Sequence, residues 1–224
     1  PEPGQNPEAQ SAVEYKPEYT WNYELGTHLS LWDGKVQADF AAFYMETYDQ
    51  QLSQMAESGL GRITVNAGES ESYGVEASLV ASINRHLQLN ANYGYTKATF
   101  VKYKAGKEED YGGNYVPFVP MHTMNIGGSY TFLFNDSWAQ SLTLGANVNG
   151  AGKIYWTEAN NASQDFYATL NGYVSLKTKT VQIDLWGRNL TNNDYTTFYF
   201  ESMGKGFQQR SKPFQIGLDL KLHI

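Results

Sequence analysis

The chain has 224 residues, a formal net charge of −7, no cysteine, 17% charged residues and an aromatic fraction of 15% that includes 17 tyrosines. The acidic balance without a basic stripe argues against nucleic-acid binding, and the lack of cysteine excludes a disulfide framework, a thiolate metal site and a cysteine nucleophile. No apolar run reaches the roughly 20 residues of a membrane helix, but a barrel strand shows lipid only every second residue and escapes that test.

Residues Pro1 to Tyr19 are polar, carry Pro1, Pro3, Pro7 and Pro17, and read as a loop (1–19). There is no initiator methionine or signal peptide, so a leader has been removed or upstream residues are missing. From Trp21 the apolar side chains fall on alternate positions: Trp21, Tyr23, Leu25, Leu29 and Leu31, with Asn22, Glu24, Gly26, His28 and Ser30 between them. Side chains on a strand point to opposite faces in turn, so such a strand has one apolar and one wet surface. The spacing predicts strands at about Thr20–Trp32, Lys35–Tyr48, Glu71–Ile83, Leu87–Ala98 and Val119–Leu133. It continues at about Ala139–Gly150, Phe166–Leu176, Val181–Leu190 and Lys212–Ile224. Runs this long are unusual for a soluble sheet and match a tilted membrane-crossing strand.

The connections alternate strictly between short and long. Short ones fall at Asp33-Gly34, Asn84-Arg85-His86, Phe134–Trp138 and Lys177–Thr180. Long ones run from about Asp49 to Ser70, Lys97 to Phe118, Ala151 to Asp165 and Thr191 to Ser211. An up-and-down outer-membrane barrel has short periplasmic turns and long external loops, whereas Greek-key crossings mix the two ends of a soluble sandwich. One face of the strands is polar (Glu76, Ser78, Ser82; Gln88, Asn90, Asn92; Thr143, Asn147; Gln182, Asp184, Arg188). A packed core would leave those groups unpaired, while a hydrated or plugged lumen suits them. The expected fold is therefore all-β, an antiparallel up-and-down transmembrane barrel in a Gram-negative outer membrane.

About nine strands place the first residue at the long-loop end, yet a secreted barrel has an even count and both termini in the periplasm. The chain is accordingly expected to be the C-terminal section of a larger barrel, with residues 20–224 as wall and no plug domain. The competing expectations are a complete ten-stranded outer-membrane hydrolase and a secreted, aromatic-rich binding module.

Four segments carry a family resemblance. Pro17-Glu18-Tyr19-Thr20-Trp21-Asn22-Tyr23-Glu24-Leu25-Gly26 resembles the opening of a late barrel strand in TonB-dependent outer-membrane receptors, and Ser72-Tyr73-Gly74-Val75-Glu76 resembles that family's "GvE" strand. Asn189-Leu190-Thr191-Asn192-Asn193-Asp194-Tyr195 is similar to its signature before the last external loop, and Pro213–Ile224 to its closing strand. The chain departs from the family in ending on Ile224 rather than an aromatic residue, and it shows no energy-coupling box. The resemblance implies about nine of about 22 strands around a plugged lumen, in an active transporter for a siderophore, haem, cobalamin or an oligosaccharide. The implied partners are an N-terminal plug, the remaining strands, a TonB-type energy-coupling protein, outer-membrane lipid and a small-molecule ligand. On this reading Glu24, Gly26, Gly74, Glu76, Asn189 and Tyr195 are architectural.

No catalytic constellation stands out. His28, His86, His122 and His223 lie on different strands or turns without metal-ligand spacing, no GxSxG elbow is present, and no metal or cofactor is implied. The binding candidates are loop aromatics: Tyr103, Tyr111 and Tyr115 around the acidic tip Glu108-Glu109-Asp110, then Tyr155, Trp156, Phe198, Tyr199 and Phe207, with Phe200 in the same cluster. Such residues close over a flat ligand. The competing reading assigns them to the aromatic girdle at the outer interface.

Overall fold

A computed structural model describes residues 16–55, 62–105, 109–135, 138–202 and 204–223. Residues 1–15 of the N-terminal loop, Glu108 of the acidic tip and Ile224 lie outside the described residues. Every element is a strand: β1 (Tyr19–Leu31), β2 (Val36–Met55), β3 (Arg62–Ser82), β4 (Leu87–Ala105), β5 (Glu109–Asp110), β6 (His122–Leu133) and β7 (Ala139–Gly152). They continue as β8 (Ile154–Tyr155), β9 (Ser163–Gln164), β10 (Tyr167–Thr178), β11 (Val181–Arg188), β12 (Thr196–Ser202), β13 (Lys205–Arg210) and β14 (Gln215–Leu222).

Nine strands lie side by side in the order β1-β2-β3-β4-β6-β7-β10-β11-β14, all antiparallel, with the two-residue β5 added to β4. The pairs β8–β9 and β12–β13 are separate hairpins within long connections. Among the described residues the sheet does not close: β1 pairs with β2 alone and β14 with β11 alone. This is an arc of wall, as a section of a larger barrel requires, and it differs from a closed ten-stranded barrel.

The register turns the alternation into two continuous surfaces. One level of the inner face reads His28, Asp39, Ser78, Asn92, Asn125, Asn149 and Thr169 across seven successive strands. Neighbours along this level bond directly: Ser78 Oγ donates to Asp39 Oδ2 at 2.8 Å, and Asn125 Nδ2 donates to Asn149 Oδ1 at 2.5 Å. A parallel level of the opposite face reads Leu79, Ala91, Ile126, Val148 and Leu170. Ile126 is 53% exposed and Leu218 is 65% exposed. A continuous apolar surface of that extent needs lipid against it.

Buried apolar side chains gather at the ends of the wall rather than in a central layer. Val36, Ala81 and Ala139 sit near the short turns, and Phe100, Tyr103, Ile154 and Trp156 sit under the long connections. Three of the aromatics that interrupt the polar pattern of the inner face each lie opposite a glycine directly across the ladder: Phe43 with Gly74, Tyr173 with Gly145, and Trp186 with Gly217. In each pair the ring lies where the glycine's β-carbon would stand. An aromatic ring laid over a cross-strand glycine covers exposed backbone without intruding on the lumen.

The strands outrun their sequence-predicted limits at the long-loop end. Residues 49–55 and 62–70, expected as loop, continue β2 and β3 to 20 and 21 residues. A membrane crossing needs about 9–11 residues, so this hairpin extends roughly 30 Å beyond it at 3.3 Å per residue. The extension is invisible to periodicity because water on both faces removes the reason for alternation. β4 likewise runs to Ala105, and Tyr19 belongs to β1 rather than to the preceding loop. Lys16 and Glu18 are fastened to the projecting hairpin: Asn66 Nδ2 donates to Lys16 O at 3.0 Å, and Gln51 N donates to Glu18 Oε2 at 2.9 Å. The chain thus enters β1 from the long-loop end.

Candidate functional site

The long connections form one structure at that end of the wall. Loops 106–121 and 153–166 are joined through Asn160, whose φ is +56°. Its Nδ2 donates to Tyr115 O at 2.9 Å, and its Oδ1 accepts from Tyr115 N at 2.7 Å. Asn114 Nδ2 donates to Glu158 O at 2.9 Å, and Phe118 N donates to Tyr155 O at 2.8 Å. Asparagine tolerates the left-handed region and carries both a donor and an acceptor, which fits this position.

The sequence-predicted aromatics fall into three groups. Tyr103 is 3% exposed; it packs on Phe100 at 4.9 Å between centroids and edge-on to Tyr111 at 5.4 Å. Tyr111 also donates to Glu109 Oε2 at 2.5 Å, and burial together with that bond holds its phenol above the usual tyrosine range. This group is packing for the loop base. Tyr115 and Tyr155 stack at 5.0 Å and 11°, with Lys153 Nζ 5.2 Å from the Tyr155 centroid. The third group runs Trp156–Phe118–Phe198–Phe200–Phe207, with centroids 5.2–5.9 Å apart. Phe118 was missing from the sequence-predicted set, and it is the link between loop 106–121 and the hairpin.

The β12–β13 hairpin has two distinct sides. Tyr195 stacks on the inner-face Tyr167 at 3.7 Å, and Thr197 lines an inner-wall cavity. Beyond the register shift between Thr196 and Phe198, alternate residues along β12 point opposite ways, so Phe198 and Phe200, with Phe207 beside them, share one side of the hairpin. Their exposures are 44–47%. Tyr199 lies on the other side, over Gly206, and donates to Glu201 Oε1 at 3.0 Å; this bond raises its phenol above the usual range.

The motif residues occupy the wall. Glu24 and Glu76 line an inner trough of about 770 Å³ together with Asp39, His28 and Ser78. His28 Nδ1 is 2.5 Å from Asp39 Oδ1, and Ser78 Oγ binds the other oxygen of the same carboxylate. Both side chains converge on Asp39 instead of forming a serine–histidine pair. Gly26 and Gly74 are on the same face, and a β-carbon at Gly74 would meet Tyr95 O at 2.0 Å. Asn189 is buried, with φ +48°. Its side chain binds Asn193 O at 2.8 Å, Lys212 O at 3.0 Å and Asn193 N at 2.9 Å, so one residue ties the end of β11 to both ends of the last long connection.

These features have counterparts in known proteins. Residues 3–190 match the family model for the TonB dependent receptor-like β-barrel. The metal-pseudopaline receptor CntO of Pseudomonas aeruginosa is 27% identical over 139 residues, covering 62% of this chain and 18% of that protein. The ferric yersiniabactin uptake receptor FyuA from Yersinia pestis is similar in structure with a TM-score of 0.77 at 24% identity, over 91% of this chain and 29% of that one. The ferric preacinetobactin receptor BauA from Acinetobacter baumannii gives a TM-score of 0.72 at 23% identity, over 93% and 30%. The chain thus spans about a fifth of the length of the curated relatives it matches and under a third of these structures. An antiparallel wall with polar and lipid faces, every long connection at one end, and this family match lead to one conclusion: the chain is a section of a Gram-negative outer-membrane barrel and belongs to the TonB-dependent receptor family.

Proposed function

We propose that this chain is the C-terminal part of the barrel of an outer-membrane active transporter that captures a scarce nutrient outside the cell and imports it with inner-membrane energy. The observation that carries the reading is the open, polar-faced nine-strand arc with all its long connections at one end. Relatives named for metal-pseudopaline and ferric yersiniabactin favour a metal chelate over haem, cobalamin or an oligosaccharide. The chain contributes wall and loops, without catalysis. Edges β1 and β14 pair with the remaining strands, which prevents the loss of several kcal/mol per unpaired backbone group in lipid. A plug from outside this chain docks on the inner trough, where neither Glu24 nor Glu76 has an ion-pair partner among the described residues. A TonB-type protein acts through parts of the receptor beyond this chain.

Uptake of chelated metal tests the reading. A host stripped of its own chelate receptors and given the full receptor is expected to accumulate metal from supplied chelates only while its TonB-type protein is intact. Accumulation that persists without that protein contradicts active transport.

A further inference from the structure

The inner wall is electrically divided. The trough runs across β1–β4, β6 and β7, with Glu24, Asp39 and Glu76 on its first three strands and no lysine or arginine in its lining. A second cavity of about 600 Å³, on β7, β10, β11 and the start of β14, holds Arg188 and Lys212 and no carboxylate. In a chain of net charge −7 this is a local reversal.

The nearby acids are already engaged. Asp194 is bound by Arg210, and Asp184 is held by Lys221 at 2.8 Å and by Ser175. Asp219 accepts from Trp186 Nε1 at 3.1 Å. Neither Arg188 nor Lys212 has an ion-pair partner among the described residues. Both are nevertheless positioned. The Arg188 guanidinium lies over the Trp186 ring, 4.9 Å from its centroid, and the backbone of Lys212 is held through its carbonyl by Asn189. Tyr167 and Tyr195, stacked at 3.7 Å, form a flat aromatic wall, and Asn149 and Asn171 add side-chain amides. Arg188 ends β11 and Tyr167 begins β10, so the cavity opens at the long-loop mouth.

We propose that this cavity is an anion-binding subsite, in which Arg188 and Lys212 hold the carboxylates of a small polyanionic chelate while the Tyr167–Tyr195 stack carries its flat part. A planar guanidinium held on an aromatic ring is pre-organised for bidentate carboxylate binding, and the volume falls within the range of small-molecule sites. The subsite rests on the transporter reading for its location in an uptake path, and it narrows the nutrient to an anion. Neutral chelates and neutral oligosaccharides leave both cations unpaired.

The test uses the full receptor in detergent, titrated calorimetrically with ferric citrate as the anionic probe and with a neutral ferric trihydroxamate as the control. Ferric citrate is expected to bind, and the hydroxamate to bind at least about tenfold more weakly. Arg188→Gln and Lys212→Gln should each weaken citrate binding about tenfold or more, with Arg188→Lys recovering part of the loss. Lys177→Gln, at the short-turn end of the same face, should leave binding unchanged and controls for net charge. Retained heat-modifiable migration in each variant shows that the barrel is folded. Equal binding by Arg188→Gln and the parent, equal binding of both probes, or no citrate binding at all overturns the subsite. Uptake measured alongside separates the two readings. TonB-dependent import that is indifferent to Arg188 removes the subsite and keeps the transporter. Arg188-dependent binding without import keeps the subsite and removes the transporter.

Discussion

The ring of Phe43 lies over Gly74, its directly opposed partner on β3, with Cζ 2.7 Å from the point where a glycine β-carbon would be built. The same point is 2.0 Å from the carbonyl oxygen of Tyr95 on β4. Two strands therefore close over one glycine, and one of the contacts is backbone that cannot rotate away. Gly74→Ala is expected to destabilise the folded receptor toward the upper end of about 1–3 kcal/mol. At Gly26 the nearest atom is 3.1 Å away, and Gly26→Ala should cost clearly less. Urea unfolding of the two variants in detergent, followed by tryptophan fluorescence, checks the order. Equal midpoints would show that the inner face has slack at Gly74.

Asn189 meets two demands at once, a positive φ and three side-chain hydrogen bonds that join the end of β11 to the last long connection. Asn189→Ala strains the backbone and strands buried polar groups, for an expected loss of about 2–4 kcal/mol. Asn189→Gly relieves the strain but not the missing bonds, so it should fall between Ala and the parent. If Gly restores the full midpoint, the side-chain bonds contribute nothing measurable.

Tyr111 carries a pH dependence whose sign follows from its environment. Burial, and the bond to Glu109, raise its phenol above the ordinary value of 10.0. A group raised on folding contributes stability that is complete below its unfolded value and is lost as pH rises through its folded value. Loop 106–121 should therefore stay protease-resistant to about pH 10 and become labile above it. Tyr111→Phe should remove one late-titrating phenolate from the absorbance titration and flatten the alkaline loss of protection. An unchanged phenolate titration would contradict the assignment.

The barrel wall was legible because lipid on one side and water on the other impose a strict period of two, visible at Leu79, Ile126 and Leu144 as well as at Ser78, Asn125 and Thr143. Where both faces meet water the signal disappears, and the projecting parts of β2 and β3 read as loop for that reason. The inner-face rings Phe43, Tyr173 and Trp186 broke the polar pattern, and the glycines that accommodate them lie on other strands, so register was needed to pair them. Binding residues were the least legible. Loop aromatics look alike in sequence, and only the fold separates Tyr103, packed at a loop base, from Phe198, half exposed on the β12–β13 hairpin. Arg188 directly precedes a motif that reads as architectural, and its relation to Lys212 arises from the closure of a 26-residue connection between β11 and β14. Phe118 lies at the end of a long connection, and its contacts with Trp156 and Phe198 join segments far apart in sequence, which no local pattern records.

The most direct test of the account is which side of the wall meets lipid. This chain has no cysteine, and in a full receptor freed of any other cysteine, single substitutions at Ser129, Tyr130, Thr143 and Leu144 place one reporter each on neighbouring inner and outer positions. Fluorophores attached after Tyr130→Cys and Leu144→Cys, in lipid vesicles, should be quenched by nitroxide-labelled lipid and spared by aqueous iodide. Those attached after Ser129→Cys and Thr143→Cys should show the reverse. Iodide quenching at all four positions, with no effect of the labelled lipid, would contradict a membrane-spanning barrel wall.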